Sequence, residues 1–566
     1  MKTFRFVKPA ALLVALVLVI GVLAGCGGGS NQGSNAESGS AGGTEDSDVS
    51  VMDSSRIGSS DYVREQLTMA VGPATSLTPW GTSNKTPGAV EVYETLYGQT
   101  YEGVDFPILA DATRGGNNEM EIPGCDHVEG KNEYLIYIWD NIYDHAGNHV
   151  TADDVVFSYT HQWKEELTSG WASLTAVEKV DDTTIRFEFS KEFGVGDFEQ
   201  FFTMCYIVSE KTYNNSKSHL LDEMVGTGPY AMLSYTPGSQ VTLVSYPNYW
   251  QQNEEYRPAS QRQNVKKIVY KFISETATTI MSLKTGEVDL GTNISRSYTA
   301  DFEDNGEYAS KYDTTVSGST SVASLWLNCS EESVCNDINM RLAIYYALDL
   351  DGIVALLGGY DEPAKVWACI TNPDYYEEWE EMENYNTYRG SQQERRELVE
   401  GYLKAAGYDG SPLVYIYQSD QSDIASVVIS MLTSYGIEVD SRGTDHAGSL
   451  AIEADPTAWD IEGGNWGGVW NVHAWMHAYD WANTATGDHT VNYIYDKEWQ
   501  EQLELCLTYE GHTKENMTKY LEMLYDNAYG INLYIQLPIS IYPNDIVYMY
   551  TTKSLVVPGA CEYKEP

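Results

Sequence analysis

The chain has 566 residues, 12% aromatic and 42% hydrophobic, and its 82 Asp and Glu against 34 Lys and Arg give a formal charge of −48. Such a surface repels phosphate backbones, which excludes nucleic acid as a partner. The acidity otherwise reads as a solvated surface, with a preference for cationic ligands as the sharper alternative.

The N-terminus, MKTFRFVKPAALLVALVLVIGVLAGCGGGS, sets Lys2, Arg5 and Lys8 before an apolar run from Ala10 to Gly25. That run is shorter than the roughly 20 residues a membrane-spanning helix needs, so residues 1–25 are expected to be a signal peptide. Leu23-Ala24-Gly25-Cys26 resembles a bacterial lipobox, in which the signal is cut before a cysteine that then carries lipid. Residues 26–60 follow as a Gly/Ser-rich linker with almost no apolar content, a tether with an r.m.s. span of about 30–35 Å. The expected location is extracytoplasmic, lipid-anchored to the outer face of the bacterial cytoplasmic membrane. About 505 residues remain, ample for a large core and too many for one compact domain.

That body alternates strands and helices in a mixed α/β pattern. TADDVVFSYTHQWKEE (151–166) predicts a helix with Thr151 as N-cap, Asp154 three residues on, and Val155, Val156, Tyr159 and Trp163 as its buried stripe. TTIRFEFS (183–190) alternates as a half-buried strand with Ile185, Phe187 and Phe189 inward; VTLVSY (241–246) and KKIVYKFI (266–273) read as further strands. A helix from about Asn339 carries Ala343, Tyr346, Ala347 and Leu350 and is expected to run to Gly358-Gly359. Two more carry Val399, Tyr402, Leu403 and Ala406 up to Gly407, and Ile424, Val427, Val428, Met431 and Tyr435 up to Gly436.

Apart from Cys26, the cysteines are Cys125, Cys205, Cys329, Cys335, Cys369, Cys506 and Cys561, without the CxxC spacing of a zinc ribbon or a thioredoxin-like motif. Cys329 and Cys335 flank the polar loop SEESV and are candidates for a disulfide in an oxidising compartment.

Several segments, in order, resemble the extracellular solute-binding proteins of family 5, the dipeptide-, oligopeptide- and nickel-binding receptors of ABC importers. They are SLTPWG with VYETLYGQ (76–99), GNHVTADDVVFSY (147–159), VDDTTIRFEF (180–189), GTGPY (226–230) with YPNYW (246–250), MSLKTGEVDL (281–290), LWLNCSEESVCNDINMRLAIYYALDLDGIV (325–354), and LKAAGY (403–408) with SYGIEVD (434–440). Glycines in GTGPY are expected to supply backbone geometries closed to other residues, and Pro229 to fix φ at a strand entry. The motifs read as scaffold, without chemistry of their own.

The resemblance implies a two-lobed, periplasmic-binding-protein-like α/β fold (type II, cluster C) with an extra subdomain in the first lobe. Lobe I would comprise residues 61–318, with the subdomain at about 101–215; lobe II residues 319–534; and residues 535–566 would return to lobe I. The crossings are expected near Gly318–Ser321 and Ile535–Gln536. A small solute, a peptide foremost, would bind between the lobes, and the protein would pass it as a monomer to an ABC permease and ATPase complex, with no cofactor and no catalysis.

VWNVHAWMHAYDW (469–481) holds the candidate site. Peptide-binding members present G-W-x-x-D-x-x-[DE]-P to the cleft, the tryptophan walling the ligand and the aspartate pairing with its α-ammonium. The resemblance aligns Trp466 with that tryptophan, but Val469 occupies the aspartate position and Val472-His473 replaces the Asp/Glu-Pro. A buried ammonium without a carboxylate costs several kcal/mol, so another acid, Asp480 or Asp460, would take over, or the ligand does not enter amine-first. Trp466, Gly467, Gly468, Val469, Trp470 and Asn471 are therefore candidate ligand contacts, with Thr82, Ser83 and Asn84 from the first lobe and Gln418 at the end of LVYIYQ. Trp475 and Trp481 are expected to pack inward.

His473 and His477 stand at metal-binding helical spacing, with His489 or Asp480 as a further donor. Ala474, however, takes the place of the glutamate that a His-Glu-x-x-His hydrolase uses as general base. The alternatives are a same-fold receptor for sugars or metal chelates, and, further off, an extracellular metal-dependent hydrolase.

Overall fold

The computed structural model describes residues 62–566 except 75, 81–85, 101–103, 165–170, 172, 304, 317–320, 369–373, 467–475, 477–478, 482–486, 553–554 and 566. Cys26, the apolar run and the linker lie outside the described residues. Among those described, no helix is long and apolar enough to cross a membrane.

The alternation in TTIRFEFS forms the strand Thr184–Phe189, with Ile185 and Phe187 fully buried. It lies inside a four-stranded antiparallel sheet, between Glu133–Tyr137 and Leu174–Asp181, with Cys125–His127 at the far edge. Helix Ala152–Lys164 shares the core of this sheet, with Val155 and Tyr159 fully buried. Ser158 and Gln162 are buried with them, while Val156 and Trp163 are only half-buried, so the inward stripe is rotated from the apolar pattern. The hydroxyl of Ser158 reaches the Val208 carbonyl at 3.2 Å, which accounts for a polar group there. The first turn is fixed as its residues suggest, the Thr151 amide donating to the Asp154 carboxylate at 2.8 Å.

A seven-stranded sheet holds, in spatial order, Tyr312–Val316, Ile539–Pro543, Leu290–Ile294, Arg64–Val71, Val265–Phe272, Gln240–Ser245 and Tyr230–Thr236. Arg64–Val71 runs parallel to both its neighbours. A six-stranded sheet holds Glu362–Pro363, Gly530–Gln536, Ser321–Leu327, Ile461–Trp466, Leu413–Gln418 and Val439–Thr444. Here Leu413–Gln418 is parallel to both its neighbours. The chain passes from the first of these sheets to the second between Val316 and Ser321 and comes back between Gln536 and Ile539.

Helices Gln392–Ala406 and Ser422–Ser434 end at Gly407 (φ 67°) and Gly436 (φ 84°), left-handed positions that glycine accepts without a Cβ penalty. The helix expected from Asn339 to Gly358 is instead two, Ile338–Ala347 and Leu350–Leu356, separated by extended backbone at Leu348 and Asp349. The buried guanidinium of Arg395 donates to the carbonyls of Tyr346 (3.2 Å) and Leu348 (2.9 Å), satisfying acceptors that the interruption frees.

Two further expectations are corrected. Gly226 and Gly228 do not adopt positive φ; their need is space, since a Cβ would stand 2.2 Å from the Val92 carbonyl oxygen and 2.4 Å from that of Glu91. Cys329 and Cys335 are not bonded to each other but are buried free thiols. The Cys329 thiol donates to the Leu327 carbonyl at 3.4 Å and burial pushes its ionisation up to about 11, while Cys335 sits fully inside the same core. Cys125, Cys205, Cys506 and Cys561 are likewise buried and free, and Cys369 lies outside the described residues.

Candidate functional site

Register places the carboxyl ends of the parallel strands together. In the six-stranded sheet Gln418 pairs with Thr444, and Tyr417 with Gly463, so Ile461–Trp466 continues to Trp466 at the same edge. On its other side Trp466 faces Val322, whose neighbour Ser321 pairs with Gln536. In the seven-stranded sheet Val71 pairs with Phe272 and Ala70 with Gly291, while Ile294 and Val316 both meet Ile539. The parallel strand ends of both sheets thus lie at the edges where the chain crosses. In open α/β sheets, ligands bind outside such carboxyl ends.

Most of the predicted contacts fall outside the described residues: Thr82, Ser83 and Asn84, and Gly467, Gly468, Val469, Trp470 and Asn471, together with His473, Trp475 and His477. Their described flanks are firmly held. Trp80 is 4% exposed, and its indole donates to the Tyr206 carbonyl at 2.9 Å. Across residues 81–85, the Thr86 hydroxyl returns to the Thr78 carbonyl at 3.1 Å. Beyond the second segment, Met476 and Tyr479 are fully buried. Trp466 is described as backbone at its strand end, and Gln418 is half-buried at its own.

The strand leading to Trp466 is shaped by two glycines. A Cβ on Gly463 would meet the Tyr415 hydroxyl at 2.6 Å, and one on Gly464 the Trp326 ring at 2.3 Å, so an aromatic side chain from each neighbouring strand occupies the space a Cβ would need. Two residues from Gly464, Glu462 accepts from the Ser449 hydroxyl at 3.4 Å. Burial, then the hydrogen bond and charge of Glu453, hold its carboxyl well above the ordinary range.

Asp460 does not serve as the replacement acid. It precedes the strand at the end opposite Trp466, roughly 20 Å away by strand rise, and its oxygens accept from the Ser333 hydroxyl (2.6 Å) and the Val414 amide (2.9 Å). Asp480 is 8% exposed and accepts from the Gln500 amide at 3.3 Å. Trp481 is half-buried, less inward than expected. Nδ1 of His489 lies 2.6 Å from the Thr490 carbonyl, and among the described residues no three His, Cys, Asp or Glu side chains are grouped to hold a metal.

Two positions at this junction escaped the sequence reading. Thr444 ends VDSRGT, a mostly exposed strand with no apolar alternation to mark it. Asp361 accepts from the Leu537 amide at 3.0 Å, tying the returning chain to the six-stranded sheet, and an isolated acid in a loop carries no sequence signal of that role.

Comparison with known proteins agrees with this geometry. Over 400 residues the chain is 22% identical to the oligopeptide-binding protein AppA of Bacillus subtilis, covering 65% of this chain and 68% of that one. Its structure is similar to the periplasmic binding protein DppA of Helicobacter pylori, solved with the peptide STSA, at a TM-score of 0.68 and 18% identity over 89% and 99% of the two chains. It is likewise similar to NikA of Brucella suis, solved with Fe(III)-EDTA, at a TM-score of 0.69 and 17% identity over 88% and 100%. These likenesses establish the two-lobed α/β fold. Residues 122–488 match the family described as bacterial extracellular solute-binding proteins, family 5 middle. With more than half its length matched and the strand ends of both sheets turned to one junction, the chain belongs to the extracellular solute-binding proteins of family 5.

Proposed function

We propose that this protein is the substrate-binding subunit of an ABC importer, capturing a short peptide or similar small solute between its lobes and handing it to a membrane permease. The carrying observation is the meeting of parallel strand ends from both sheets at the two crossings. Lobe I comprises residues 61–318 and 537–566, with the subdomain of about 101–215 on the four-stranded sheet, and lobe II residues 319–536, two residues beyond the expected 534 because the strand Gly530–Gln536 pairs in the six-stranded sheet to its end. It acts as a monomer, without cofactor or catalysis, shifting toward a closed state as ligand binds. Cys26 carries lipid and anchors it outside the cytoplasmic membrane.

The peptide assignment is supported by relatives such as AppA, named as an oligopeptide-binding protein. A second reading, a receptor for sugars or metal chelates, is favoured by Val469, which offers no carboxylate for a peptide ammonium, and by the likeness to NikA with its bound chelate. Native mass spectrometry of residues 61–566, purified from rich medium without refolding, separates the two. Retained masses matching short peptides support the first reading; a retained sugar or metal chelate replaces it with the second. Trp466→Ala is expected to weaken binding of a random tetrapeptide pool more than tenfold with the fold intact, and an unchanged titration would remove Trp466 from the site.

A further inference from the structure

The two crossings are not the only junction between the lobes. The amide of Val195 donates to the carbonyl of Leu507 at 2.9 Å. Beside it Gly194 is buried, and a Cβ there would stand 2.0 Å from the same oxygen, so the approach is open to glycine alone. The Gly194 amide is held by the Asp197 carboxylate at 2.8 Å, at the start of helix Asp197–Phe202. On the opposite side Leu507 ends helix Lys497–Leu507, whose Trp499, Leu503 and Cys506 belong to the core of the six-stranded sheet.

Two residues further, Tyr509 departs from that core. Its ring packs against the other core, the one containing Tyr134, Phe193, Phe198 and Phe202 of the four-stranded-sheet region. Glu119, Asp197 and Asp105 lie close enough to act electrostatically on its hydroxyl, with burial the larger influence. One aromatic side chain from lobe II is therefore seated in the lobe I subdomain, next to a backbone hydrogen bond between the same two bodies.

We infer that Tyr509, with the Gly194–Leu507 approach, forms a latch that holds lobe II against the lobe I subdomain and sets how fast the cleft opens. The inference rests on the lobe division proposed above and not on what the ligand is. A junction away from the strand crossings must separate whenever the lobes rotate about them, so it gates the motion without touching solute.

Hydrogen exchange of the full chain in detergent, without ligand, tests this. The Val195 amide is expected to be protected, and Tyr509→Ala to speed its exchange at least tenfold while amides of strand Thr184–Phe189 keep their rates. An unprotected Val195 amide in the parent, an unchanged rate in the variant, or equal acceleration in the strand would each overturn the latch. As a second variant, Gly194→Val is read by spin labels at the exposed positions Asp182→Cys and Glu515→Cys, where a longer mean separation is expected and an unaltered one would refute it. Neither readout uses solute, so failure to recover a bound peptide would leave the latch standing, and failure of the latch would leave solute capture standing.

Discussion

The indole of Trp250 donates to the buried carboxyl of Glu94 at 2.8 Å, joining segments 156 residues apart in the chain. Tyr249 donates to the other oxygen at 2.7 Å, so the tyrosine and tryptophan of YPNYW both end on the glutamate of VYETLYGQ. Burial pushes Glu94 up to about 7 against these hydrogen bonds, and Glu91, which accepts from Tyr270, also to about 7. Both carboxyls thus hold their protons to higher pH in the folded chain than in the unfolded one, which fixes the sign of their effect on stability.

Because the folded-state values lie above the unfolded value, the stability from each acid is full below about pH 4.5 and is lost as pH rises toward 7. Each is worth on the order of 3 kcal/mol. Denaturant unfolding at pH 5 and pH 8 should show a smaller loss for Glu94→Gln than for the parent. The comparison cancels the surface self-repulsion common to both proteins. An equal loss would assign the pH dependence elsewhere.

Gly228→Ala places a Cβ 2.4 Å from the Glu91 carbonyl oxygen, where backbone rather than a flexible side chain must yield. A cost of about 1–3 kcal/mol or more is expected from such overpacking. It should appear as a lower denaturation midpoint with an unchanged slope, and a midpoint within error of the parent would show that the strand entry relaxes freely.

Arg341 is 5% exposed, and its described hydrogen-bond partners are carbonyls: those of Cys335 (2.8 Å) and Asn336 (2.7 Å) on one side, Asn527 (2.8 Å) and Ala528 (3.2 Å) on the other. The latter two follow helix Lys514–Asp526, whose negative end favours a cation. A lysine cannot span both sets, so Arg341→Lys should cost roughly 2–4 kcal/mol. Calorimetry checks this, and retention of the parent melting temperature would refute the bridging role.

Thiol alkylation of the native protein should leave Cys125, Cys205, Cys329, Cys335, Cys506 and Cys561 unmodified, while the same reaction in denaturant labels all six. Peptide mapping by mass spectrometry distinguishes them. A Cys329–Cys335 peptide linked before reduction would restore the disulfide expected from their spacing.

Legibility followed the strength of local signals. Alternation found the strand Thr184–Phe189, and glycine stops found the ends at Gly407 and Gly436, because each rests on residues within one turn or one pleat. The interruption at Leu348–Asp349 was hidden, since the carbonyls it frees are answered by Arg395, nearly fifty residues on, and Leu350 continues the apolar spacing across the break. GTGPY was identifiable as a motif, but its reason was not, because the oxygens of Glu91 and Val92 that crowd it come from a distant segment. Gln418 was legible as the end of LVYIYQ and Trp466 through the resemblance, whereas Thr444 and Asp361 depend on pairing and contact that no local pattern records.

The strand Ile539–Pro543 lies inside the seven-stranded sheet, between Leu290–Ile294 and Tyr312–Val316, yet it is the last of that sheet's strands in the chain. The six-stranded sheet draws all its strands from the uninterrupted stretch between Ser321 and Gln536. A chain emerging from a ribosome or a translocation pore, N-terminus first, can therefore finish the later sheet while the earlier one still lacks an inner strand. Its edges at Ile294 and Tyr312 stay unpaired until then, open to wrong partners. Order of synthesis and order of completion are inverted, and the earlier sheet is complete only once the strand Ile539–Pro543 has been released.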